Sequence, residues 1–434
     1  MSGRLRGWLW AALAALTILN ANSIAVLAGA PERLFNPILL AVALAVLAPH
    51  VARLRWLSRA PMPALLVFAV AFLLAGAFSA AGSVQVPLDR ALFKIPLYGA
   101  SLLLVLAAFG AAADATARGE EDRLLRAVFW PCVLASLSGV AFIAVPAVGN
   151  FLELQPGERL HGVFGNFNEL GGQAGYALVV GLVLTMRTKQ PFWVVLGTLA
   201  GIVGVVSSFS KAAMLGFLPL FALTVYAATG ARFAIRPMLA LAFGSVLVAG
   251  GTYLLAGRLL DGGLGIELST DQRLRLTALM DIISSGALDE SATTGRTAVW
   301  AVGLENWAQA PVFGLGLSAF DRVTGIDMEI HNTALRVLGE GGLVAFLPFL
   351  VMVVALVLRI ARERRPEVHV LGVGFLLVQL PAILSTGGIL LARNHNVLAG
   401  LVLGLLVASR DAGAAGPSAP DDAPAGATPV PAGA

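Results

Sequence analysis

One cysteine, Cys132, stands in 434 residues, and it lies inside an apolar run. An intramolecular disulfide is therefore excluded, and nothing points to thiolate or zinc chemistry. The residue reads as a small buried hydrophobe. Charge is scarce as well. Asp, Glu, Lys and Arg make up 12% of the chain, against roughly 25% in soluble globular proteins, which excludes an ordinary water-soluble globule. The pI is near 9.6, yet the basic residues are scattered between apolar runs and form no stripe with aromatics, so nucleic acid is not an expected partner. Polar segments long enough to build a soluble domain are mostly missing, and so is any convincing internal repeat. No pair of broken helices occupies matching positions in two halves, as inverted-repeat transporters often show.

What is present is apolar surface in excess. Hydrophobic residues make up 58% of the sequence and mean hydropathy is +0.85, so the chain needs lipid around it. Apolar stretches of spanning length fall near 8–28, 34–49, 62–80, 91–110, 127–149, 171–187, 191–208, 211–228, 237–256, 341–360, 368–387 and 389–408. The short second stretch and the closely spaced runs between 171 and 228 demand tight turns. Arg4 and Arg6 before an apolar run ending Leu27-Ala28-Gly29-Ala30 imitate a secretory signal, but the spans that follow favour an uncleaved first helix.

Twelve spans place both termini on one side. With that side cytoplasmic, 17 of the 29 Lys and Arg lie in short inner segments, from Arg4 and Arg6 to Arg410. The other 12 divide into six in short outer segments and six in one long outer loop, where charge weighs little on topology. The comparison over short segments is thus 17 against 6. The expected layout is all-α and integral to the membrane: nine transmembrane helices over 1–256, a large outer loop over 257–340, three helices over 341–408 and a cytoplasmic tail over 409–434. From Asp411 to Ala434 the tail is Ala, Pro, Gly and Asp with almost nothing to bury, and is expected to be disordered.

Ionisable groups beside membrane spans are costly to desolvate, so those that share a side are functional candidates. Glu158 to Glu169 lead into the sixth span and contain Arg159, His161, Asn166 and Asn168. These residues read either as an irregular ligand-binding turn or as a plain turn with Asn168 as helix cap. Ser207-Ser208-Phe209-Ser210-Lys211 form an outer turn in which Lys211 is either a snorkelling anchor or a phosphate contact. In the long loop, 271–285 and 296–308 have the apolar spacing of amphipathic helices. Arg296 begins the second of these. A cation there opposes the helix dipole, so either a nearby anion or plain solvation accounts for it. The loop runs on through Pro311 to Gly316 and returns to the membrane at His331-Asn332-Thr333. His331 is a candidate base and equally a structural loop histidine. Arg393-Asn394-His395-Asn396 open the last span and either line the same cavity or bond helices together.

Taken in order, Arg159 to Gly172, the serine turn at 207–211, Gly295-Arg296 with Trp300, Pro311 to Gly316, and His331-Asn332 followed by Leu335, Glu340, Gly341 and Gly342 resemble the O-antigen ligase and polymerase superfamily. The resemblance implies a bacterial inner-membrane glycosyltransferase with a C-type helical fold, a periplasmic active site and no metal or cofactor. Its donor would be a glycan on undecaprenyl diphosphate, and its acceptor a hydroxyl, in the ligases that of the lipid A core; membrane lipids surround it. Transferred by motif, His331 would be the base. Arg159, Arg296 and Lys211 would bind the diphosphate, and Asn166, Asn168, Asn332, Arg393 and His395 would support the site. Attack from the face opposite the leaving group would invert the anomeric carbon. Two departures stand out: Lys211 replaces the arginine more common at the serine turn, and Arg159 is not spaced from Gly171 as the polymerase branch has it. A ligase is the first expectation, a polymerase of O-antigen or exopolysaccharide the second. A transporter or flippase is the rival from another class, although no inner polar cluster matches the outer one.

Overall fold

The computed structural model of the chain describes residues 3–27, 32–82, 87–144, 164, 167–229, 250–251, 253–254, 256–263, 270–285, 296–321, 329–386 and 388–414. The described residues hold helices and connecting turns and no strand. Helices α1 (Gly3–Ile18), α2 (Ala21–Leu27) and α3 (Glu32–Leu47) are followed by α4 (Met62–Gly82), α5 (Leu88–Arg118) and α6 (Glu121–Ala144). Then come α7 (Phe167–Thr188), α8 (Phe192–Ser208) and α9 (Lys211–Thr229). The polar segment contributes α10 (Thr270–Ser285) and α11 (Arg296–Trp307), and the chain ends with α12 (Thr333–Ala361), α13 (Pro366–Ser385) and α14 (Arg393–Ala414).

Among the described residues, five helices are long and apolar enough to cross a membrane: Met62–Gly82, Leu88–Arg118, Asn168–Thr188, Thr333–Ala361 and Pro366–Leu384. The other described apolar runs fall on shorter apolar helices or on α6 and α14. The first run differs from expectation. It is interrupted at Asn20, whose φ of 46° turns the chain between α1 and α2. The tight turns demanded by the sequence are made by Lys189 (φ 59°) between α7 and α8 and by Phe209 (φ 47°) between α8 and α9. Most of the ninth run, residues 237–249, and the tail from 415 lie outside the described residues.

The core is built around α7, which packs on α6, α8, α9 and α13, while α14 lies along α5. Gly400 and Gly404 make the second pairing close: a Cβ at either would press on the Val105 or Phe109 carbonyl of α5. Small residues of this kind let membrane helices pack backbone to backbone. In contrast α4 and α12 form a peripheral pair. Only 17% of the spanning window of α12 is buried, against 78% for α7, so most of α12 faces outward.

One end of the bundle is tied by ions. Asp114 takes Arg118 at 2.7 Å and Arg6 at 3.4 Å, and Arg118 also reaches Glu120 at 3.0 Å. Next along the chain, Glu121 binds Arg365 at 2.8 Å and pairs with Arg187, which also meets Asp122 and Glu367. Glu363 binds Arg359 at 2.8 Å and accepts from the Ser409 hydroxyl. These contacts bring the start of α1, the ends of α5, α7, α12 and α14, and the starts of α6 and α13 to one face. His331 stands at the other end of α12, some 26 residues and about 40 Å of helix away.

Candidate active site

The chain before α12 is fixed by ordinary packing. Ile330 is fully buried against Val299 and Phe320, and its N–H donates to the Phe320 carbonyl at 3.2 Å. Gly303 of α11 leaves room for this seam, because a Cβ there would strike Ile330. On the other side of His331, Asn332 caps α12 by accepting from the Leu335 N–H at 3.0 Å. The Thr333 hydroxyl donates to the Thr386 carbonyl at the end of α13, at 2.6 Å. His331 is thus a half-buried side chain on a backbone held from both directions.

Its surroundings decide its charge. Burial lowers the proton affinity of His331 below the usual histidine value, Arg296 and Arg336 push it the same way, and Glu329 opposes them. These surroundings favour the neutral imidazole. Arg296 begins α11 one turn before Val299, which packs on Ile330 next to His331. Burial and the like charge of Arg275 on α10 both weaken its hold on a proton. Arg275 of α10 thus acts on Arg296 of α11, and Arg296 in turn acts on His331.

Arg336, Glu329 and Arg275 were not singled out in the sequence. Arg336 is 2% exposed and donates to the Phe320 carbonyl (3.1 Å), Asp321 (3.1 Å) and Glu329 (2.9 Å), with Glu340 3.7 Å away. The only local signal was the four-residue spacing of Arg336 and Glu340 on one helix face.

The glycines at the head of α12 have a definite task. Gly342 interrupts the helix with φ 61° and ψ −163°, and the segment Pro311 to Gly316 docks into the break. Leu315 and Gly316 donate to the Gly339 and Glu340 carbonyls at 2.7 and 3.2 Å, while Leu343 and Val344 donate to the Pro311 and Val312 carbonyls at 3.0 and 3.1 Å. The two motifs complete each other's backbone bonding.

A second polar group lies at the α7, α8 and α9 junction. The Ser210 hydroxyl donates to the Asn168 side-chain amide oxygen at 2.7 Å and accepts from the Ala213 N–H at 3.4 Å, capping α9 where Lys211 begins it. Asn168 and Ser210 share a small pocket with Pro381 and Ala382. Since Thr386 receives Thr333, Asn168, Lys211 and His331 belong to the same end of α13. An apolar cavity of about 330 Å³ opens beside Lys211, lined by Phe209, Met214 and Phe217 together with Leu276 and Leu279 of α10.

Arg393 and His395 have partners of their own. His395 Nδ1 lies 3.1 Å from both the Tyr176 hydroxyl and the Gln379 amide, and Arg393 bonds Asn36. Asn394 donates to Gln173, which reaches Cys132. These bonds join α3, α6, α7, α13 and α14. Arg159 and Asn166 lie outside the described residues. Among the described residues, no three His, Cys, Asp or Glu side chains are grouped to hold a metal ion.

Comparison with known proteins gives one family. Residues 196–350 match the family model described as O-antigen ligase, a segment that contains Lys211, Arg296, His331, Asn332 and the break at Gly342. No curated protein matches the chain. The family match supports the O-antigen ligase and polymerase superfamily for this membrane protein, whose members are glycosyltransferase-like enzymes of O-antigen processing.

Proposed function

We propose that the protein is an O-antigen ligase that moves a preassembled glycan from undecaprenyl diphosphate to a hydroxyl of the lipid A core, on the periplasmic face of the bacterial inner membrane. The observation that carries the reading is the family match over 196–350, which brings in His331, half-buried at the head of α12, and Arg296 at the start of α11, whose Val299 packs on Ile330. The acceptor O–H gives its proton to the imidazole as the oxygen bonds to the anomeric carbon. The bond from that carbon to the phosphate oxygen breaks, and its electron pair leaves with undecaprenyl diphosphate. Arg296, with Lys211 and Arg159, holds the leaving diphosphate and takes the place of a metal ion. Approach opposite the phosphate inverts the anomeric configuration. The apolar cavity beside Lys211 suits the polyprenyl chain of such a donor. The cytoplasmic placement of both termini rests on the basic end of the bundle.

Deletion of the gene in its host, followed by analysis of lipopolysaccharide and carrier-linked glycan, tests this. A ligase leaves rough lipopolysaccharide and long polymer stranded on the carrier. Cores carrying a single repeat identify a polymerase instead, and unchanged banding in both fractions removes both readings.

A further inference from the structure

Arg336 is an expensive residue for its place. Desolvating an arginine and its counter-ions costs several kcal/mol per ion, and well-packed apolar side chains of similar volume often do as well or better for stability. Its acceptors show what else it does. Through one nitrogen it holds the Phe320 carbonyl, Asp321 and Glu329. The first two and the last bracket the segment 322–328, and Glu329 precedes His331 by two residues. Asp321 is held from the far side by Lys94 of α5 at 2.9 Å. Glu340, one turn further along α12, is fully enclosed and lies 3.7 Å from the Arg336 Nε. Both ends of the segment leading to His331 are thus stapled to α12 by one guanidinium.

We propose that Arg336 is a positioning residue for glycan transfer, and that Glu329, which it holds, is the carboxylate that faces His331 and balances the imidazolium formed when the acceptor loses its proton. This rests on His331 as the base. Glu329 takes no proton in the step: the acceptor proton stays on the imidazole while the anomeric carbon–oxygen bond to phosphate breaks toward the diphosphate. Among the described residues, the charged groups acting on His331 are Glu329, Arg296 and Arg336. Asp321, Glu340, Lys94 and Tyr98 stand behind Arg336.

The charge of Glu329 makes the proposal separable from a purely structural role. Removing the anion in Glu329→Gln lowers the proton affinity of His331, so the acid limb of kcat moves to lower pH, and kcat falls about tenfold. Arg336→Met alone strands Glu340 in the core, so the partner test is Arg336→Met with Glu340→Leu. Replacement of a buried ion pair by apolar side chains keeps the fold. In that double variant a cation and a carboxylate are removed together and Glu329 loses its anchor, so the readout is kcat, which falls while the thermal midpoint in detergent stays near wild type. The assay is transfer in the purified full-length protein with carrier-linked glycan and lipid A core. Wild-type kcat in both variants with an unmoved limb in Glu329→Gln, and with His331→Ala inactive, overturns the positioning role alone. Activity in His331→Ala overturns both the base and its positioning. Should the double variant fail to fold, Glu329→Gln decides, because Glu329 is 41% exposed and its loss leaves the core intact.

Discussion

The break in α12 gives the sharpest prediction, which is for Gly342→Ala. A backbone at φ 61°, ψ −163° is populated essentially by glycine, and an L-residue held there costs about 1–3 kcal/mol. The added Cβ would also fall on the Val312 carbonyl and 2.5 Å from the Gly314 nitrogen. Both are backbone atoms with no rotamer to yield. Relief requires expelling the Pro311–Gly316 segment, which forfeits four backbone hydrogen bonds at about 0.5–1.5 kcal/mol each. The combined loss is at least about 3 kcal/mol. Gly99→Ala is the control: it lies inside α5, and a Cβ there meets nothing within 4 Å. Alanine is favoured over glycine within a helix by about 1 kcal/mol, so this variant should be neutral or slightly more stable. Thermal unfolding of both variants in the same detergent, with transfer activity measured in parallel, gives the comparison. If Gly342→Ala melts with Gly99→Ala and keeps wild-type transfer, the docking of the loop into the break is not what the helix needs.

Further outcomes follow from the site. His331→Ala should abolish transfer while the protein remains folded in the membrane; full activity in a purified assay would take the histidine out of the mechanism. Because the His331 proton affinity is depressed, wild-type transfer should be level through neutral pH and fall only below about pH 6.5, the unperturbed histidine value. A profile that rises on acidification would rule out a neutral base. Arg296→Lys should slow transfer about tenfold or more despite the retained charge, since the planar fork for phosphate oxygens is gone, and an unchanged rate would make Arg296 a surface cation. Asn332→Ala should cost about 1 kcal/mol by removing a helix cap, whereas Asn332→Asp keeps the acceptor. Equal melting of the two would show that the side chain does not cap α12.

The sequence made some of this legible and hid the rest for physical reasons. Apolar runs set the positions of α4, α5, α7, α12 and α13, because a spanning helix must carry its own hydrophobicity. The spacing of Leu276 and Leu279, and of Val299 and Trp300, likewise marked α10 and α11. The interruption at Asn20 was not visible, since nothing in that run but one polar residue opposes a continuous helix. Arg336 was passed over because a basic residue in a polar connector normally reads as solvated. Its burial depends on Asp321 and Glu329 nearby and on Lys94, which is 227 residues from Asp321. The Pro311–Gly316 and Gly341-Gly342 motifs were both seen, but their mutual fit is a property of space. Arg393 and His395 carried two readings, and their bonds to Asn36, Tyr176 and Gln379 are those of interhelical ties.

The outward exposure of α12 has a consequence for traffic. The histidine proposed as base sits before the buried first turns of that helix, and the outward-facing flank begins beyond them at Leu343 and Val344. A carrier whose tail never leaves the bilayer can then drift sideways to the reaction centre, present its sugar and depart by the same shore. For the proposed transfer the preassembled glycan can then stay in the aqueous space throughout.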